Sequence, residues 1–338
     1  MMQRIWFWIK NARYVALPQS LLPGITAFAL ATKEPSFSWF FGLLALFAIA
    51  LAHLSFNLFD DYFDFKKNDV QIRNKMNHSG IRARIGKCNY LTSGEATLSQ
   101  LLRSAIIFGS LALAIAIFFL IYWGWMVLIF IFILGFLGIF YSAPPFRFSY
   151  RGLGEILIGF IFGPLLMSGL YFVSVGVIAP SVWFLSFPIG LLVSNILFTH
   201  DIMDFEADKK SGKRTLCVII GNQKINLIVS LFFIFTPYLI VLLGIVFHYL
   251  SIWMLFLFMT IPHAIMLHYL LVRFVKKPEQ EFSPVWWMQP MELWKEIKKS
   301  GIDWFMIRWY LARNLLVFFC LIIILLVFSE LLFINIIL

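Results

Sequence analysis

Long apolar stretches, separated by polar segments of alternating length, dominate the chain. The clearest cover about residues 37–59, 101–122, 124–142, 153–176, 180–199, 225–247, 250–272 and 314–338. Each reaches the length, roughly 18 residues, at which an apolar run reads as a membrane span rather than a buried helix. A weaker stretch at 15–32, interrupted by Pro18 and Pro23, brings the set to about nine. The pattern predicts an all-α polytopic membrane protein, a single transmembrane domain over residues 1–338. The connections on one side are short, at about 33–36, 123–124, 177–179 and 247–250, and most of those on the other are long, at 61–100, 201–224 and 273–313. Loops of that length in a compact protein usually carry function, so the chemistry is expected on their side.

Composition agrees with this reading. Of 338 residues, 61% are hydrophobic and 13% charged, about half the ~25% charged share of a soluble domain. Basic residues then orient the spans. With the N-terminus inside, Arg4, Lys10 and Arg13 are cytoplasmic, as are the basic residues of the long loops; of 27 Lys and Arg only Lys33 falls in an outside loop. The positive-inside rule therefore places the N-terminus and the long loops in the cytoplasm, in a protein of the cell's inner (plasma) membrane. The net charge of +10 is a topological signal, and no soluble domain is long enough to present a nucleic-acid-binding face. The segment MMQRIWFWIKNARYVALPQS lacks the pattern of a cleaved leader. It reads as an interfacial helix with Trp6, Phe7 and Trp8 at headgroup level. Cys88, Cys217 and Cys320 share no metal or disulfide spacing.

One device occurs twice. Residues 60–65 read Asp-Asp-Tyr-Phe-Asp-Phe and 200–205 read His-Asp-Ile-Met-Asp-Phe, each at the inner end of a span and each followed by lysines. If the spans continue helically, Asp60 and Asp64 share one face, with Asp61 one turn from Asp64. His200, Asp204 and Asp208 repeat that spacing, with Asp201 one turn before Asp204. Carboxylates concentrated beside a membrane repel one another and call for a cation. Pairing with Lys66, Lys67, Lys209 and Lys210 would serve a purely structural cluster. Magnesium, a hard ion that takes few carboxylates and completes its shell with water and phosphate oxygens, would serve two matching ones. Arg73, Lys75, Arg82, Arg84 and Lys87 follow the first cluster, and Lys213 and Arg214 the second. Beside magnesium they suit a diphosphate, although anchoring at the membrane surface accounts for any one of them. A departing diphosphate leaves an allylic cation, which aromatic faces stabilise. Acids along an ion path through a secondary transporter would instead lie near the bilayer midplane on broken helices.

Three segments carry a family resemblance: NLFDDYFDFKKND (57–69), YSAPPFRFSYRGLGE (141–155) and HDIMDFEADKKSGKRTL (200–216). Over roughly 10–272 the chain resembles the UbiA superfamily of intramembrane aromatic prenyltransferases, and within it the branch acting on 1,4-dihydroxy-2-naphthoate in menaquinone synthesis. The resemblance implies helices around a central cavity, Mg2+, a polyprenyl diphosphate and an aromatic acceptor. It implies that Asp60, Asp64, Asp204 and Asp208 hold magnesium and diphosphate, with Asp61 and Asp201 as close supports and Lys213 and Arg214 facing the phosphates. Asp60 and His200 stand where the family commonly has Asn. The long segment 278–314, rich in Trp, exceeds the common pattern and reads as a lid or a pair of interfacial helices. Another phenol, a haem-like macrocycle or a sugar phosphate are the other acceptors the superfamily offers.

Overall fold

The computed structural model describes residues 2–66, 88–277 and 282–337. The described residues are helical almost throughout. An amphipathic first helix, α1 (Met2–Asn11), lies before α2 (Pro18–Ala31), which opens with proline at its first position, where no N–H partner is needed. Among the described residues seven further helices are long and apolar enough to cross a membrane. They are α3 (Trp39–Lys66), α5 (Leu98–Trp123), α7 (Gly154–Val175), α8 (Pro180–Met203), α11 (Gln223–Val246), α12 (Ile252–Lys276) and α14 (Asp303–Ile337). Between them come the short α4 (Asn89–Thr92), α9 (Phe205–Ser211), α10 (Leu216–Ile220) and α13 (Trp294–Lys299). The remaining two apolar stretches are α2, of 14 residues, and α6 (Trp125–Phe140), of 16.

Local sequence explains where the helices start and stop. Thr97 and Gln100 form a reciprocal capping box at the start of α5, and the Asn222 side chain accepts from Lys224 and Ile225 at the start of α11. Gly124 and Gly176, both at positive φ, separate α5 from α6 and terminate α7. Two arginines account for a misread boundary. The apolar pattern begins the last span at 314, whereas α14 begins at Asp303. Arg308 is buried, donates to the Leu270 carbonyl at 3.0 Å and to the Trp304 carbonyl, and stacks over Phe274 at 5.0 Å. Arg313 pairs with Glu292 at 2.9 Å. Both charges are satisfied by the protein, so the helix runs through a stretch that hydropathy reads as loop. The N-terminal aromatics also divide: Trp6 is exposed, while Phe7 and Trp8 pack edge-on against Tyr90.

Packing follows two parallel arrangements. The helix ending in the first acidic cluster, α3, packs chiefly on α5, and the helix ending in the second, α8, packs chiefly on α11. Helices α7 and α8 meet backbone to backbone through Gly159, Gly163 and Gly190. A Cβ on Gly163 would lie 2.4 Å from the Ser186 carbonyl and 2.6 Å from the Gly190 Cα. Small residues four apart let membrane helices approach this closely and gain dispersion contacts where lipid offers no hydrophobic drive. Beside this crossing α7 carries a π turn over Ile161–Leu165 at Pro164, the local widening expected where a missing N–H breaks the ladder.

Candidate active site at the mouth of a helical cavity

A cavity of about 760 Å³ opens among α3, α5, α6, α7, α8 and α14. Its wall is apolar apart from a few groups, chief among them Arg13, His53, Asp60, Tyr141 and His200. The polar end is built by the two acidic helix termini. Helix α3 carries Asp60, Asp61 and Asp64 without a break to Lys66, as the spacing predicted. The second terminus differs: α8 ends at Met203, and Asp204 sits between it and α9. The hydrogen-bond register nevertheless continues, since Asp204 N–H donates to His200 O and Asp208 N–H to Asp204 O, each at 2.8 Å. His200, Asp204 and Asp208 thus remain one turn apart.

Asp61, Asp64, Asp201, Asp204 and Asp208 are all buried, a placement that carboxylates tolerate only with partners. Arg13, in a left-handed backbone conformation just after α1, reaches Asp60 at 3.0 Å and Asp61 at 3.2 Å. Burial works against its charge, but Asp61 and Asp60 outweigh burial and raise the Arg13 pKa above its ordinary value. Ser142 donates to Asp60 at 2.5 Å and Tyr90 to Asp61 at 3.1 Å. Tyr150 donates to Asp64 at 2.7 Å, and Lys213 lies over the same tyrosine ring at 5.9 Å. Tyr150 therefore connects the first cluster to the basic residue that follows the second.

The 141–155 segment holds the clusters together. Ser149 folds its loop back on the Tyr141 carbonyl, and Arg151 pairs by backbone with Arg214. Glu155, buried at the start of α7, accepts from the Leu216 N–H at 2.9 Å and lies beside Asp201. Tyr141 stands between both acidic helix ends. Asp60 and Asp64 of the first end and Asp201 of the second, with Glu155, all act electrostatically on its phenol. At the other side of the mouth His200 lies 5.2 Å from the Phe305 ring and 6.5 Å from that of Trp309. Both aromatics line the cavity, so this part of the Trp-rich segment is wall rather than lid.

Of the residues singled out in the sequence, Asp60, Asp61, Asp64, Asp201, Asp204, Asp208 and Lys213 fall in this region. Arg214 is tied to its loop through the backbone bridge. Arg82 and Arg84 lie outside the described residues, as do Arg73, Lys75 and Lys87. Sequence reading missed Arg13, Tyr90, Tyr141, Tyr150 and Glu155 as site residues. Glu155 alone had a usable signal, a carboxylate inside the first turn of a membrane helix. Arg13 resembled any interfacial cation, and a tyrosine in so aromatic a chain does not stand out.

No three His, Cys, Asp or Glu side chains among the described residues converge into a metal cage. Magnesium needs no such cage, because one or two carboxylates with water and phosphate oxygens suffice. The donors here are buried carboxylate oxygens from two helix ends, which suit that ion and not a soft one.

Known proteins fit this architecture. Residues 20–295 match the UbiA prenyltransferase family, and the chain belongs to that family. It is 24% identical over 207 residues to a 1,4-dihydroxy-2-naphthoate octaprenyltransferase of Bacillus subtilis, covering 61% of this chain and 63% of the relative. Over 161 residues it is 30% identical to a 2-carboxy-1,4-naphthoquinone phytyltransferase of Synechocystis, covering 46% of this chain and 50% of that one. The matches thus span half to about two thirds of these relatives. The solved structure of a UbiA homologue from Archaeoglobus fulgidus bound to DMAPP and Mg2+ shares the fold at a TM-score of 0.55 and 16% identity, covering 91% of this chain and 99% of that one. A digeranylgeranylglyceryl phosphate synthase does so at 0.58 and 18%, covering 95% and 99%.

Proposed function

We propose that this chain transfers a polyprenyl group from a polyprenyl diphosphate to an aromatic acceptor, 1,4-dihydroxy-2-naphthoate, in menaquinone biosynthesis. The observation that carries this reading is the junction of two buried acidic helix ends with an apolar cavity of about 760 Å³. A diphosphate with magnesium fits the first and an isoprenoid the second. The naphthoate prenyltransferase relatives support the acceptor, and the homologue bound to DMAPP and Mg2+ supports the donor and the ion. Asp64, Asp204 and Asp208 are the residues assigned to hold magnesium and diphosphate, with Asp60 and Asp61 exchanging Arg13 for the ion. Lys213, Arg214, Arg82 and Arg84 are assigned to the phosphates. Bound magnesium neutralises charge on the diphosphate as it leaves. Tyr150 orients Asp64, Glu155 holds the start of α10 against α7, and the cavity keeps water from the allylic carbon. The site faces the cytoplasm.

The test is product mass spectrometry on membranes supplied with 1,4-dihydroxy-2-naphthoate and a prenyl diphosphate, alongside a panel of other phenols. Asp64→Ala and Asp204→Ala should abolish product while the protein remains inserted. Full activity in either variant, or in excess chelator, would overturn the assignment.

A further inference from the structure

The mouth of the cavity is crowded with engaged polar groups, but its interior holds a basic side chain of a different kind. His53 lies on α3 one turn before Asn57 and two turns before Asp60, on the same face. At a rise of ~1.5 Å per residue it sits about 10 Å deeper than Asp60. It lines the cavity and is only 6% exposed, and neither ring nitrogen has a hydrogen-bond partner among the described residues. Its ring tilts by 35° against Phe162, 5.5 Å away, beside the π turn of α7. An imidazole used only to fill space would be outperformed by Leu or Phe, which bury the same volume without stranding polar atoms. Stranded polar atoms facing a cavity that takes an aromatic guest point to a hydrogen bond made by the guest. A neutral imidazole offers one N–H and one lone pair, so its ring can accept a proton from a bound hydroxyl and return it.

We propose that His53 is the proton acceptor for the aromatic nucleophile. The inference rests on the hydroxynaphthoate reading above. The acceptor hydroxyl donates to His53, and the adjacent ring carbon, which bears the carboxylate, attacks the allylic carbon of the prenyl donor. A carbon–carbon bond forms while the allylic C–O bond breaks, its electron pair leaving with the diphosphate. The hydroxyl proton passes to His53, giving a ketone with the prenyl and carboxylate groups on one carbon. Loss of CO2 returns an electron pair to the ring as an enolate, which takes the proton back from His53 to give the prenylated quinol. No oxidant or reductant is required, and the imidazole ends as it began.

The experiment uses the full chain in nanodiscs with geranyl diphosphate, 1,4-dihydroxy-2-naphthoate and Mg2+, and compares wild type with His53→Ala, His53→Gln and His53→Phe. General-base loss is expected to lower kcat by about 10²- to 10⁴-fold, with the KM for geranyl diphosphate unchanged. Added imidazole should restore His53→Ala, which leaves room for it, and not His53→Phe. His53→Gln keeps a hydrogen bond but cannot take a proton, so it should remain slow. A His53→Gln enzyme with wild-type kcat would overturn the proposal, as would a slow His53→Ala enzyme that imidazole does not rescue. A wild-type enzyme that binds the donor yet prenylates no hydroxynaphthoate would remove the acceptor reading, and the role of His53 with it. Activity retained by His53→Gln removes the role of His53 alone.

Discussion

At the scale of single residues the site depends on how buried carboxylates are held. Tyr150 donates a hydrogen bond to Asp64 at 2.7 Å, and a hydrogen bond to a charged group is worth ~1.5–3 kcal/mol. Tyr150→Phe removes it without changing ring volume. The Mg2+ concentration for half-maximal activity should therefore rise about tenfold or more, with thermal stability little altered; an unchanged Mg2+ titration would show that Tyr150 does not orient Asp64. Arg13 makes a second case. It holds both Asp60 and Asp61, so Arg13→Gln takes one cation away from two partly or fully buried carboxylates. Complete loss of such a partner costs ~3–5 kcal/mol in a fully buried pair; Arg13 is 26% exposed, which reduces this to about 1–3 kcal/mol. The melting temperature should fall in chelator and recover in Mg2+, because an ion binding the folded state stabilises it by mass action. An equal loss with and without Mg2+ would mean that Arg13 and the ion do not share these acids.

At the scale of elements the decisive contact is the crossing of α7 and α8, which brings the 141–155 loop and the second acidic terminus together. Gly163→Val would drive a branched side chain into the Ser186 carbonyl and the Gly190 backbone, neither of which can move aside. Overpacking of this kind costs typically ~1–3 kcal/mol, and because the helix ends must shift, activity should fall with stability in a detergent melt. A variant that melts and turns over like wild type would mean that the crossing has slack. The two acidic helix ends were legible in the sequence because a carboxylate near a membrane is rare and a period of four is easily seen. The crossing was less visible, since Gly159 and Gly163 lie in an apolar run where glycine is common. The start of α14 was concealed for the opposite reason: Arg308 and Arg313 look like loop residues until Leu270, Phe274 and Glu292 are seen to satisfy them. Convergence of Tyr141 on acids from both helix ends had no sequence signal, because it depends on long-range packing.

Across the whole molecule the polar chemistry lies at one end, and the other end is closed by a few ties. Tyr171 donates to Glu34 at 2.7 Å, Ser36 donates to the Val175 carbonyl at 2.9 Å, and Lys33 pairs with Glu330. Large apolar side chains such as Phe40, Ile121, Trp125 and Phe132 are exposed around the bundle, as a lipid-facing surface requires. Lys33 and Lys209 belong to opposite ends, and the proposed orientation, which follows the bias of basic residues, would put Lys209 in the cytoplasm. All three native cysteines are buried, so single substitutions Lys33→Cys and Lys209→Cys can be read against a quiet background. In intact cells a membrane-impermeant maleimide should label Lys33→Cys and leave Lys209→Cys unmodified until the membrane is opened. The reverse pattern would place the acidic helix ends outside, away from a cytoplasmic supply of prenyl diphosphate, and would refute the orientation and the substrate access it implies.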